Sequence, residues 1–133
     1  MLFRSEQLRN LTASIRNLRH PELLISVDHE GGRVQRFRSG FTQIPAMLEV
    51  GRRWPDRKQN LATAKAVGTV IAHELLEHGL DFSYTPVLDL DYGRSRVIGE
   101  RAFSSDPELV GQLATALIQG LDRKSTRLNS SHT

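Results

Sequence analysis

Two short apolar segments set between long helical patterns constrain this chain more than any other feature. Leu23–Asp28 (LLISVD) and Asp81–Leu88 (DFSYTPVL) are largely apolar on both alternating faces. That is the pattern of buried parallel strands rather than of strands with one wet face. Ahead of them, Leu8, Leu11, Ile15 and Leu18 recur at three- and four-residue steps and predict an amphipathic helix over Ser5–Arg19, with Ser5 as N-cap and Pro21 as its stop. Between the strands, Pro55–His78 carries an alanine-rich apolar face (Leu61, Ala64, Val67, Ile71, Leu75) and meets Gly79 at a C′ position. Asp106, Pro107 and Glu108 announce a last helix, whose stripe Leu109, Val110, Leu113, Leu117 and Ile118 runs to a stop at Gly120. Arg33–Met47 and Asp89–Arg101 read as loops, and Pro86 argues against a regular central ladder in the second strand. The order helix, strand, helix, strand, helix predicts an α/β fold with parallel strands covered by helices. Two strands do not finish a sheet, since the mean sheet holds ~5–6. The pattern therefore reads as a piece of a larger α/β fold.

Composition narrows the function classes. No apolar run approaches the ~20 residues that cross a bilayer, so no membrane partner is expected. The chain of 133 residues contains no cysteine, which excludes a disulfide scaffold and thiolate metal sites and suits a cytoplasmic protein. Its 18 basic against 15 acidic side chains invite a nucleic-acid reading. Much of that excess sits in Asp122–Thr133 (DRKSTRLNSSHT); without it the balance is 15 against 14. Asp122–His132 also back-translates, codon after codon, into a string resembling a common short-read sequencing adapter. The expectation is that 122–133 is not biological and that the native chain continues differently after Leu121.

The strongest local feature is Asp28-His29-Glu30-Gly31-Gly32-Arg33-Val34-Gln35-Arg36-Phe37. An apolar strand delivers polar groups at its C-terminal end, the end that faces the active site in parallel α/β folds. A carboxylate there can accept hydrogen bonds from adjacent sugar hydroxyls, and paired glycines let backbone turn sharply or approach a ligand. Read by composition alone, Asp28 as a turn cap beside solvated arginines fits equally well.

VDHEGGRVQRF at Val27–Phe37 resembles the signature of family 3 glycoside hydrolases, specifically the bacterial β-N-acetylhexosaminidases. The resemblance continues through Phe41–Ala46 (FTQIPA), Tyr84–Leu90 (YTPVLDL), Val97–Phe103 (VIGERAF) and Asp106-Pro107. It implies a (β/α)₈ TIM barrel, of which residues 1–121 would supply roughly the first three units of eight; a whole barrel takes ~250 residues. It implies hydrolysis, with retention, of terminal N-acetylglucosamine from peptidoglycan-derived muropeptides during cell-wall recycling in the cytoplasm, by a monomeric enzyme without metal or other cofactor. Asp28, Arg36 and Arg101 match the family's substrate-binding residues. Asp89 and Asp91 are second-tier candidates, as plausible as loop caps; His29 and Glu30 read as structural, or as supports for the residues that touch substrate, rather than as catalytic. The family's histidine acid/base follows a Lys-His-Phe-Pro-Gly-His-Gly type motif, and its aspartate nucleophile lies further on. No catalytic residue is therefore expected within these residues, and the chain alone is expected to be inactive. The first barrel strand is expected to be absent or altered at Met1–Ser5.

Rival readings are a β-glucosidase-like member of the same family, a basic nucleic-acid-binding protein resting on the charge of the tail, and a non-catalytic sugar-binding module. His73-Glu74-Leu75-Leu76-Glu77-His78 is a decoy for a zinc-protease helix. Its histidines are five residues apart, about 140° around a helix, where that motif needs four. Both are expected on a solvated face. Trp54 beside Pro55 reads as a packing anchor before a sugar-stacking platform.

Overall fold

In the computed structural model, which describes residues 4–130 and side chains as far as Asp122, local capping chemistry sets most helix starts. Helix α1 is Ser5–Arg16, β1 Ser26–Val27, β2 His29–Gly31, β3 Val34–Gln35, α2 Met47–Arg52, α3 Arg57–Glu77, β4 Phe82–Ser83 and α4 Pro107–Ser130, with a 3₁₀ turn at Gly99–Arg101 before α4. The expectations for Met1–Phe3 and for the side chains of 123–133 lie outside the described residues.

Helix α3 starts where the Asp56 carboxylate accepts the Lys58 N–H at 3.0 Å. It ends in a Schellman motif: Leu80 N–H reaches Leu75 O (2.9 Å), and Gly79, at φ +81°, donates to Leu76 O (3.2 Å). Helix α4 starts as its sequence announces, with Asp106 accepting the Glu108 N–H at 3.1 Å. It does not stop at Gly120 but continues to Ser130. Gly120 is needed for close approach: a Cβ there would collide with the Lys65 carbonyl oxygen of α3, and one on Gly68 with the Leu117 carbonyl oxygen of α4. The helices cross at this glycine pair and bury Ala64, Val67, Ile71 and Leu75 against Val110, Leu113, Ala114 and Leu117.

Strands β1 and β4 pair in parallel, Ser26 opposite Phe82 and Val27 opposite Ser83. The Asp81 carboxylate extends the pairing: it accepts from Ile25 N–H (2.7 Å) and from Arg16 of α1 (2.9 Å), while Asp81 N–H donates to Ile25 O (2.8 Å). The α/β character and the parallel pair follow the sequence pattern, but the strands are far shorter than expected and are not buried. Leu24, Tyr84 and Leu88 are exposed, because each strand pairs with only one other among the described residues and keeps an open edge.

Three further expectations change. Helix α1 spans Ser5–Arg16 rather than reaching Arg19, and Arg4, not Ser5, takes the cap position, its N–H meeting Gln7 Oε1 at 3.0 Å. Leu11 and Leu18 are exposed, whereas Thr12 is buried because its hydroxyl donates to His78 O at 2.7 Å. The segment Arg33–Met47, read as loop, instead carries β3, which pairs antiparallel with β2 in a hairpin, and ends at the start of helix α2, whose Met47, Val50 and Gly51 are buried.

Candidate functional site

The polar sequence after β1 folds into a hairpin because two glycines occupy the turn. Gly31 and Gly32 sit at φ +108° and +56°, and a Cβ on Gly31 would strike Ile44 and the Pro45 carbonyl. Gly32 N–H donates to Ile44 O (2.8 Å), laying segment 41–46 against the hairpin. Gln35, buried on β3, clamps that segment: its Nε2 donates to Phe37 O and Thr42 O, and its Oε1 accepts from Ile44 N–H, each at 3.0 Å. From α3, both Glu74 carboxylate oxygens accept the Thr42 N–H, at 2.9 and 2.7 Å. This bracing holds the strand end in place.

Asp28 leaves β1 half exposed, its Oδ2 4.0 Å from Arg36 Nη2, and its carbonyl accepts the Arg36 N–H at 3.3 Å. Asp28, Arg33 and Arg36 line a small cleft of about 150 Å³ with Val34 and Gln35. Arg101 arrives on the 3₁₀ turn and meets Glu30 of β2: Nε donates to Oε2 at 2.9 Å and Nη2 to Oε1 at 3.0 Å. The Glu30 hydrogen bonds raise the Arg101 pKa from its ordinary value, against the opposing effect of burial and helped by the negative charges of Glu30, Asp89 and Asp28. Arg101 does not line the Asp28–Arg36 cleft but is tied to its edge: the Val97 carbonyl accepts from Arg101 and from Arg33, which lines the cleft. Asp91 serves as a loop cap, accepting the Gly93 N–H at 3.0 Å. Arg33, not singled out by the sequence, ties the hairpin to the loop before the turn through Arg96 O (2.9 Å) and Val97 O.

His29 faces away from this cleft into the core. Its backbone is clasped by Ser83 of β4, which accepts from His29 N–H and donates to His29 O, both at 2.9 Å. Its ring leans on Phe41 at 5.5 Å between centroids. Burial lowers its pKa below 6.5; Glu74 opposes the shift and Arg38 adds to it. An unfolded imidazole titrates at about 6.5. On acidification the unfolded chain therefore binds the proton first, so the stability tied to neutral His29 is complete above that pH and is lost below it. Urea unfolding between pH 7.5 and 5.5 should show a falling midpoint that His29→Gln flattens. An equal fall in the variant would assign the pH dependence to another group.

His73 pairs with Glu77 at 3.1 Å on the surface, while His78 is buried, its Nδ1 2.6 Å from Glu74 O and its ring stacked on Phe41 at 4.2 Å. The two do not converge, and His78 is not on the solvated face expected of it. Among the described residues no group of three or more His, Asp or Glu is arranged to hold a metal ion. No described helix is long and apolar enough to cross a membrane. Trp54 is half exposed beneath the Arg53 guanidinium rather than a core anchor; only its backbone is clamped, by Asn60.

Residues 2–132 match the family model described as the glycosyl hydrolase family 3 N-terminal domain. A β-hexosaminidase of Hydrogenovibrio crunogenus is 58% identical over 117 residues, covering 87% of this chain and 33% of that protein. One from Chromobacterium violaceum is 61% identical over 119 residues, covering 89% and 33%. The chain thus spans about a third of the length of these curated relatives. Among solved structures, NagZ from Neisseria gonorrhoeae in complex with N-trifluoroacetyl-D-glucosamine superposes with a TM-score of 0.89 at 51% identity, over 92% of this chain and 37% of that one. A family 3 β-N-acetylglucosaminidase from a Paenibacillus species gives a TM-score of 0.82 at 28% identity, over 92% and 23%.

Proposed function

We propose, for a chain that belongs to the glycosyl hydrolase family 3 N-terminal domain family, that it supplies the sugar-holding third of a retaining β-N-acetylglucosaminidase. Residues 1–121 are read as roughly the first three units of a (β/α)₈ barrel, a reading supported by the parallel β1–β4 pair and the helices that follow each strand. The observation that carries the function is the cleft beside Asp28 and Arg36 just beyond β1, with Arg101 tied to its edge through Glu30 of β2 and through the Val97 carbonyl shared with Arg33. The C-terminal end of such a strand is where parallel barrels bind substrate.

In this reading Asp28 accepts hydrogen bonds from two adjacent hydroxyls of a terminal N-acetylglucosamine. Arg36 and Arg101 donate charge-assisted hydrogen bonds to oxygens of the same sugar. Retention requires two groups, a nucleophile and an acid/base, and this reading gives all three residues to holding the sugar. The nucleophile and the acid/base are assigned to the part of the relatives' length that this chain does not span. The substrate is a small muropeptide fragment handled in the cytoplasm, and the whole enzyme works as a monomer without a cofactor.

The test uses a chimera in which residues 4–121 replace the matching third of the Neisseria gonorrhoeae β-hexosaminidase. The chimera should release p-nitrophenol from the N-acetyl-β-D-glucosaminide, and the 133-residue chain alone should release none above buffer. Turnover by the chain alone would overturn the division of labour. A folded chimera without activity would overturn the assignment of the site.

A further inference from the structure

We propose that Glu30 is the positioning residue for Arg101, fixing its guanidinium so that the cation is presented to the sugar in one orientation. The inference rests on the reading of Arg101 as a sugar-binding residue given above. The sequence leaves Glu30 as either structural or a support for a substrate-touching residue and names no partner; the partner lies 71 residues away. The side chain of Glu30 is only 6% exposed, that of Arg101 23%, so the carboxylate forms the floor and the guanidinium the more accessible layer.

The geometry is that of a fork. Both carboxylate oxygens meet Arg101, at Nε (2.9 Å) and Nη2 (3.0 Å), and Nη1 donates to Val97 O at 3.3 Å. Of the five N–H donors of a guanidinium, three are thereby committed within the chain. The two that remain, one on each terminal nitrogen, are fixed in direction. A bidentate arginine–carboxylate pair confers geometric specificity as well as attraction. Released from Glu30, a long arginine side chain gains rotamer freedom, which sugar binding must then remove.

The surroundings support a positioning role over a plain structural one. Glu30 is anchored on the same hairpin that carries Asp28 and Arg36 at its edges. The Val97 carbonyl that receives Arg101 also receives Arg33 from that hairpin, so the turn is tied to the hairpin at a second point. Glu30 thus couples the position of Arg101 to the strand end that holds Asp28.

The experiment measures KM and kcat of the chimera on the chromogenic N-acetylglucosaminide for Glu30→Gln, Glu30→Asp, Arg101→Lys and the Glu30→Gln/Arg101→Lys pair, with urea midpoints for each. Loss of a charge-assisted contact made equally in ground and transition states raises KM and spares kcat. Arg101→Lys should raise KM about tenfold. Glu30→Gln should raise it by about the same factor with kcat within about twofold, and the double variant should be no worse than either single, because both remove one arrangement. Glu30→Asp, which keeps the charge on a shorter stem, should fall between wild type and Glu30→Gln; it serves as the test if the glutamine variant does not fold. A lowered urea midpoint with unchanged KM in the Glu30 variants would make the pair merely structural and overturn the proposal. An unchanged KM in Arg101→Lys would instead overturn the reading of Arg101 on which the proposal rests.

Discussion

Asp28→Ala in the chimera should lower kcat/KM for the N-acetylglucosaminide by about 10³-fold. Two sugar hydroxyls donating to one carboxylate make two charge-assisted hydrogen bonds, each contributing about 1.5–3 kcal/mol. Removing both costs roughly 4 kcal/mol, and each 1.36 kcal/mol is a factor of ten. Asp28 is disposed for this because it is half exposed and its carboxylate stands 4.0 Å from Arg36, too far for a hydrogen bond. The cleft beside it, about 150 Å³, admits part of a sugar ring rather than a whole disaccharide. Asp28→Asn keeps one acceptor oxygen and loses the charge, so its loss should be smaller, about 30-fold. The competing description, Asp28 as a turn cap, makes a different forecast: a stability loss of about 1 kcal/mol for Asp28→Ala with kcat/KM changed less than threefold. Steady-state kinetics alongside urea unfolding separates the two.

How much of this was legible depended on how local the cause was. The start of α4 and the Gly79 stop could be read because a cap is made by residues within a few positions, as Asp106 and Glu108 show, whereas α3 starts at Arg57 on the Asp56 cap and not at Pro55. The continuation of α4 through Gly120 could not, since the glycine is placed there by a helix some fifty positions earlier. The apolar pattern around Leu24 and Tyr84 predicts longer strands than form, because it presumes cover on both faces, and cover is decided by neighbours, not by the strand. The β2–β3 hairpin had a signal, paired glycines between His29-Glu30 and Val34-Gln35, but its polar flanks hid it. The buried polar side chains were opaque for the same reason: Gln35, Thr12 and His78 are inside because carbonyls, amides and rings from other segments meet them. In the candidate site, Asp28, Arg36 and Arg101 were reached through their motifs. A supporting role for Glu30 was open in the sequence, but its partner, Arg101, is set by the fold.

The largest stability effect should come from the glycine crossing of α3 and α4. Gly68→Ala in the chimera should lower the unfolding midpoint by about 9 °C, and Gly120→Ala by a similar amount. A methyl at either position meets backbone, not a side chain that can turn away: Leu117 O and Leu121 N for Gly68, Lys65 O and Thr69 N for Gly120. The helices must then separate, which loosens Val67 and Ile71 against Leu113 and Leu117 along the seam. Overpacking of this kind costs about 3 kcal/mol, at the upper end of its ordinary range. At roughly 3 °C per kcal/mol for a protein of this size, that gives the stated shift. Gly111, on the same helix, supplies the control. Nothing lies within 4 Å of a Cβ built there, so Gly111→Ala should stabilise by about 0.5–1 kcal/mol through helix propensity alone. Opposite signs for one substitution at two positions of α4 would attribute the effect to the crossing. A neutral Gly68→Ala would mean that the helices are not held at this separation.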